Sequence, residues 1–213
     1  MNKYIAEGIG TFLLVFLGTL AAALGGGVFS IALTFGVTLL VLILLLGPKT
    51  GAHVNPAVSL GAWIRGDLSS HDVLPYIIAQ FFGAIAGSII LFLLVGRGHS
   101  LGEVLLPPES PLTFFQAFIV EGALSFFFVA SVLLVRDLPT KKAACVVGGV
   151  LFLVHLLALP LSGGGLNPAR AIAPVVVSAE PAASALLWIF VSGPFLGGMI
   201  AGFLLRRKRV LGR

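Results

Sequence analysis

Charge is what this chain has least of. Eight acidic and thirteen basic residues make up 10% of the 213 positions, against the roughly 25% of a soluble domain. With 58% of residues hydrophobic and a mean hydropathy of +1.12, the composition excludes an ordinary water-soluble globule and makes a lipid bilayer the natural solvent. Cysteine is nearly absent. The single Cys145 excludes an intrachain disulfide and a thiolate metal cluster, and no metal or other cofactor is expected. Catalytic constellations are missing too: Ser162 and His155 lie seven apart with no nucleophile elbow around them, so an enzyme is not expected. The net charge of +5 does not point to nucleic acid. Five of the thirteen basic residues, Arg206, Arg207, Lys208, Arg209 and Arg213, follow the last apolar run, where they read as an orientation signal.

What is abundant is long apolar sequence. Six segments are long enough to cross a bilayer, at about 5–24, 31–46, 73–95, 114–135, 143–159 and 184–205. No convincing small-residue cleavage site follows the first, which is expected to be retained. Lys3, Lys49, Arg65, Arg136, Lys141, Lys142 and the basic tail fall on one side of these spans, and Arg97 is almost alone on the other. The positive-inside rule then places both termini in the cytoplasm, with an even number of crossings. The stretch 96–111 holds Pro107, Pro108 and Pro111, cannot be helical throughout, and reads as a long external connection with no identifiable chemistry.

Two shorter pieces lie between the crossings. Gly51-Ala52-His53-Val54-Asn55-Pro56-Ala57 follows the second span, and Gly163-Gly164-Gly165-Leu166-Asn167-Pro168-Ala169-Arg170 follows the fifth. Each reads as flexible backbone leading to a helix start, because Asn is a favoured N-cap and Pro is tolerated at the first helical position. The helical patterns from Pro56 to about Ile64 and from Pro168 to about Ser178 give rods of roughly 14 to 17 Å at about 1.5 Å per residue. That is about half of a hydrocarbon core roughly 30 Å thick. Such irregular backbone is tolerated at membrane depth only where it is buried in protein or lines water.

The halves repeat. Asn167 follows Asn55 by 112 positions, and Glu121 follows Glu7 by 114. Three spans per half put the repeats in opposite orientations, a plan in which functional sites form near the midplane where broken helices meet. The expectation is a single domain over 1–213, built from inverted repeats of about 1–105 and 106–213. Glu7 and Glu121 lie within the first span of each half, where a carboxylate is a candidate proton carrier by default.

A pair of half-helices beginning Asn-Pro-Ala, one per half, resembles the signature of the major intrinsic proteins, the aquaporin and aquaglyceroporin family. The likeness runs from Glu7 to about Gly202. It implies an all-α membrane protein of six transmembrane helices and two re-entrant half-helices, with the motifs Asn55, Pro56, Ala57 and Asn167, Pro168, Ala169 meeting at the pore centre. It further implies a carbonyl ladder from Gly51, Ala52, His53, Val54, Gly163 and Gly165, and an outer filter of Phe35, His155, Gly164 and Arg170. The two glutamates become supports for the irregular loops. The implied function is a passive channel for water that excludes protons and ions, working as a homotetramer in the bilayer, with an inner cell membrane favoured by the short loops.

The sequence departs from the family pattern at Gly164, where water-selective members carry Thr or Cys. A wider filter is expected from the missing side chain, which leaves ammonia or other small neutral solutes open. Glycerol facilitators carry Asp after the filter Arg and a small residue in place of the His. Here Ala171 and His155 stand there, so a glycerol or small-solute facilitator is the alternative reading, followed by a secondary transporter and a non-conducting scaffold.

Overall fold

A computed structural model describes residues 1–206; Arg207, Lys208, Arg209 and Arg213 of the basic tail lie outside the described residues. Eight helices account for most of them: α1 (Lys3–Ala23), α2 (Val28–Thr50), α3 (Pro56–Arg65), α4 (Ser70–Val95), α5 (Phe114–Leu134), α6 (Thr140–Leu161), α7 (Pro168–Ser178) and α8 (Pro181–Leu204). Six of these are long and apolar enough to span a membrane, and α3 and α7 are the two short ones. The chain is an integral, multi-pass membrane protein.

The element boundaries follow local chemistry. Asn2, Ser69, Thr113 and Glu180 each cap a helix by accepting from a backbone N–H of its first turn, satisfying donors that the helix itself leaves open. Gly51 and Gly66, both left-handed, end α2 and α3. Helices α2 and α6 run several residues further than the apolar pattern suggests, through Pro48 and Pro160. Each proline removes one intrahelical bond in the last turn, a loss that buried neighbours can absorb. Here Gly51 N–H donates to Gly47 O at 2.9 Å and Ser162 N–H to Ala158 O at 2.8 Å, closing each end past its proline.

The packing obeys a pseudo-two-fold relation between the halves. Helix α1 packs on α4 as α5 packs on α8, α1 on α2 as α5 on α6, and α3 on α8 as α7 on α4. The axis passes between α2 and α6. A Cβ placed on Gly36 would meet Gly148 O at 2.8 Å, and one placed on Gly148 would meet Gly36 O at 2.8 Å, so the two backbones touch reciprocally. Lipid offers helices no hydrophobic reason to associate, and close backbone approach at small residues supplies dispersion contact instead.

Burial is reversed relative to a soluble protein. Leu93, Leu94, Phe82, Phe115 and Leu45 are exposed on the outer surface, whereas Glu7, Asn55, Gln80, Glu121, His155, Asn167 and Arg170 are buried. At the mouth formed by the start of α1 and the end of α5, Asp67 pairs with Arg65 at 2.9 Å and Arg136 at 2.5 Å. Arg65 also donates to the end carbonyls Leu133 O and Leu205 O, tying α3 to the ends of α5 and α8.

Candidate functional site

The centre of the molecule is built from the two short helices and the loops that lead into them. Asn55 and Asn167 are extended in backbone and cap their own helices: Asn55 Oδ1 accepts from Ala57 N–H at 2.8 Å and Asn167 Oδ1 from Ala169 N–H at 3.0 Å. Each side-chain amide then crosses to the other half. Asn55 Nδ2 donates to Leu166 O at 3.0 Å, and Asn167 Nδ2 donates to Val54 O at 2.9 Å. The helix starts are thereby stitched tip to tip. An amide nitrogen carries two donors, so one hydrogen of each Asn remains for a further acceptor.

The carbonyls that receive these bonds belong to strained residues. Val54 (φ 43°) and Leu166 (φ 53°) occupy the left-handed region, which a non-glycine residue adopts at a cost of about 1–3 kcal/mol unless its surroundings fix it. Carboxylates do the fixing. Glu7 Oε2 accepts from Val54 N–H at 2.7 Å, and its Oε1 accepts from His53 N–H at 2.9 Å and Thr50 Oγ1 at 2.7 Å. In the second half, Glu121 Oε2 accepts from Leu166 N–H at 2.8 Å, and its Oε1 accepts from Gly165 N–H at 3.0 Å and Ser162 Oγ at 2.7 Å. Val54 and Leu166 are therefore each held at the N–H by a carboxylate of their own half and at the C=O by the asparagine of the other. Buried amides without such acceptors would each lose about 1–3 kcal/mol.

Phe35, His155 and Arg170 converge on one side of this junction. The Phe35 and His155 rings stack with centroids 4.4 Å apart, and the Arg170 guanidinium carbon lies 5.6 Å from the Phe35 centroid. His155 Nδ1 is 2.9 Å from Leu151 O. A carbonyl accepts only, so Nδ1 carries the proton and Nε2 is left as an acceptor. Arg170 Nη1 donates to Gly102 O at 2.7 Å. His155 Nε2 and Arg170 Nε make no hydrogen bond within the described residues, giving one acceptor and one donor at the same constriction. The cavity lined by Phe35, His155, Arg170, Asn55 and Asn167 measures ≈ 10 Å³, the space of about one water. On the other side of the junction a vestibule of ≈ 580 Å³, reached by Gly51, Ala52 and His53, opens between Ile43, Val147 and Arg136.

The structure bears on two sequence expectations. Gly164 is not among the residues lining the constriction; at φ 72° its Cβ position faces Leu159 at 3.3 Å. The absence of a side chain there relieves backbone strain and packing against Leu159. Gly163, at φ 98°, and Gly165 complete the same loop. The second expectation concerns the connection 96–111, which does carry chemistry: Leu101 and Val104 are buried, and the Gly102 carbonyl between them holds Arg170. A carbonyl leaves no trace in residue identity, so only the three-dimensional path reveals it. Thr50 and Ser162, by contrast, had a readable signal, since hydroxyl residues 112 positions apart flank both loops.

The family model described as Major intrinsic protein matches residues 1–205. The chain belongs to the major intrinsic protein family. Among its relatives in this family, Aquaporin Z of Brucella melitensis is 36% identical, with 100% of this chain and 99% of that protein covered. Glycerol uptake facilitator protein-like 6 of Lactiplantibacillus plantarum is 35% identical, with 97% of each covered. The X-ray structure of the aquaglyceroporin from Plasmodium falciparum superposes with a TM-score of 0.82 at 23% identity, over 94% of this chain and 93% of that one. The likeness extends the family fold across essentially the whole molecule.

Proposed function

We propose that this protein is a passive channel that conducts water through each protomer and excludes protons and ions. The observation that carries the reading is the ≈ 10 Å³ constriction between Phe35, His155 and Arg170, set directly beside the joined tips of α3 and α7. Water passing there meets an acceptor at His155 Nε2 and a donor at Arg170 Nε, and the stacked Phe35 ring offers no bond to a larger polyol. At the junction the free hydrogens of Asn55 and Asn167 donate to the water oxygen. Each helix start also presents about half a positive elementary charge. A cation at the centre therefore faces two helix ends and the Arg170 guanidinium, and a water held by its oxygen cannot pass a proton along the file. Glu7 and Glu121 act as loop supports, since both of their oxygens are occupied by donors.

A glycerol facilitator is the second reading, and the Lactiplantibacillus relative named for glycerol uptake, at 35% identity, is what favours it. The imidazole of His155 stacked on Phe35 weighs against it, because together they occupy the wall where a polyol's carbon chain would lie. Ammonia, as small as water and neutral, fits the same constriction. The protein is further read as a homotetramer in an inner cell membrane, with the vestibule ringed by Lys3, Lys49 and Arg136 facing the cytoplasm.

Stopped-flow light scattering of proteoliposomes tests the assignment. A sucrose gradient should give shrinkage well above that of lipid alone and rising linearly with the gradient. A glycerol gradient should give no re-swelling above lipid. Glycerol re-swelling at a rate comparable to the water phase would replace the water-channel reading with the facilitator reading.

A further inference from the structure

We propose that Gly18 is the residue that sets the width of the constriction, by leaving the recess into which the Phe35 ring withdraws. The inference rests on the reading of Phe35 as a wall of the water path. Gly18 lies on α1, well away from both short helices in sequence. A Cβ built there would overlap the Phe35 ring edge, with Cε1 and Cζ nearest and Cδ1 at 2.7 Å. Phe35 is 2% exposed, its face is covered by His155 at 4.4 Å between centroids, and Arg170 stands 5.6 Å from its centre. A ring pushed off Gly18 has the lumen and these two polar groups in front of it. The lumen holds about one water, so a displacement of a fraction of a methyl group matters.

The other half of the chain shows the complementary choice. The position 114 after Gly18 is Val132, and the position 112 after Phe35 is Val147; both line the ≈ 580 Å³ vestibule. One end of the path combines no side chain with a large ring and is narrow. The other combines two valines and is wide. Size at the α1 position and at the α2 position is therefore traded as a pair, and Gly18 is a positioning residue that acts through Phe35.

The test measures water and glycerol permeability per inserted channel for the parent, Gly18→Ala, Phe35→Leu, and the double variant. Gly18→Ala should lower water permeability about tenfold, and Phe35→Leu in the same chain should restore it, because the shorter side chain no longer fills the lumen when displaced. General damage to the α1 packing would not be rescued by trimming Phe35. If Gly18→Ala fails to insert, the double variant decides: insertion with water conduction supports the clash with Phe35, and failure to insert or conduct overturns it. Parental conduction by Gly18→Ala, with Phe35→Leu altering water or glycerol flux, would overturn the role of Gly18 and leave the filter intact. No change in either flux from Phe35→Leu would instead remove Phe35 from the water path, and the proposal with it.

Discussion

The two mouths of this molecule are built on the same frame and end in opposite chemistry. Subtracting 112 from Arg170 gives Val58 and from His155 gives Ile43, while adding 112 to Phe35 gives Val147. The narrow side thus has a cation, an imidazole and a phenyl ring where the wide side has three aliphatic residues. The backbone around them is nevertheless equivalent: Asn-capped helix starts, left-handed Val54 and Leu166, and a buried carboxylate under each loop. What the comparison teaches is that the repeat supplies the scaffold, while the proposed discrimination rests on the few positions where the repeat is broken.

The supports are themselves unequal, and that inequality gives the largest expected effect. Glu7 accepts from Thr50, His53, Val54 and also Gln80 Nε2 at 2.8 Å, whereas the position 114 after Gln80 is Pro194, which has no side-chain donor. Glu121 therefore lacks that fourth bond. Replacing either carboxylate with Ala strands two loop N–H groups, a loss of about 2 to 6 kcal/mol at about 1 to 3 kcal/mol per buried group. Glu7→Ala should lower the detergent unfolding midpoint more than Glu121→Ala does. Equal shifts would mean that Gln80 contributes nothing and that the supports are symmetric after all.

Arg170→Val makes the narrow side copy its counterpart Val58. Proton or sodium leak into proteoliposomes should rise about tenfold while water flux persists. An unchanged leak would shift the exclusion of cations entirely onto the two helix ends. Gly102→Ala acts one step further out. Its φ of 71° and the Thr19 backbone at 3.0 Å from the added Cβ should together make the substitution unfavourable by about 1–2 kcal/mol. The 96–111 connection should lift, Arg170 should lose its carbonyl, and a modest cation leak should follow; full retention of selectivity would leave Arg170 anchored without it. Smallest is Tyr76→Phe, which copies Phe190 at the position 114 later. It removes the bond from Tyr76 Oη to Thr50 O at 3.1 Å and should lower stability by about 0.5–1.5 kcal/mol without altering permeability. A changed water flux would place Tyr76 in the conducting path.

Much of this was legible in the chain itself. The six spans and both short helices are visible because their patterns depend on hydropathy and on Asn-Pro-Ala, which act locally. The ends of α2 and α6 were not, since Pro48 and Pro160 locally favour termination, and the anchors at Thr50 and Ser162 that help hold the backbone past them are formed with residues on other helices. Phe35, His155 and Arg170 were pointed to by the family resemblance, and the structure brings all three to one constriction. Gly164 was pointed to by the same resemblance, and its backbone torsion turns the missing side chain towards Leu159. The cross-bonds from Asn55 to Leu166 O and from Asn167 to Val54 O could not be read at all, because they depend on which way a peptide plane faces.

The most direct test of the account is to follow water and protons in the same vesicles. Proteoliposomes loaded with a pH dye would be subjected to a sucrose gradient and then to a pH step. A narrow lumen with asparagine donors at its middle and Arg170 at its mouth predicts rapid osmotic shrinkage together with a proton leak equal to that of protein-free lipid. Shrinkage at the lipid rate, or a proton leak that rises in step with the water flux, would contradict it.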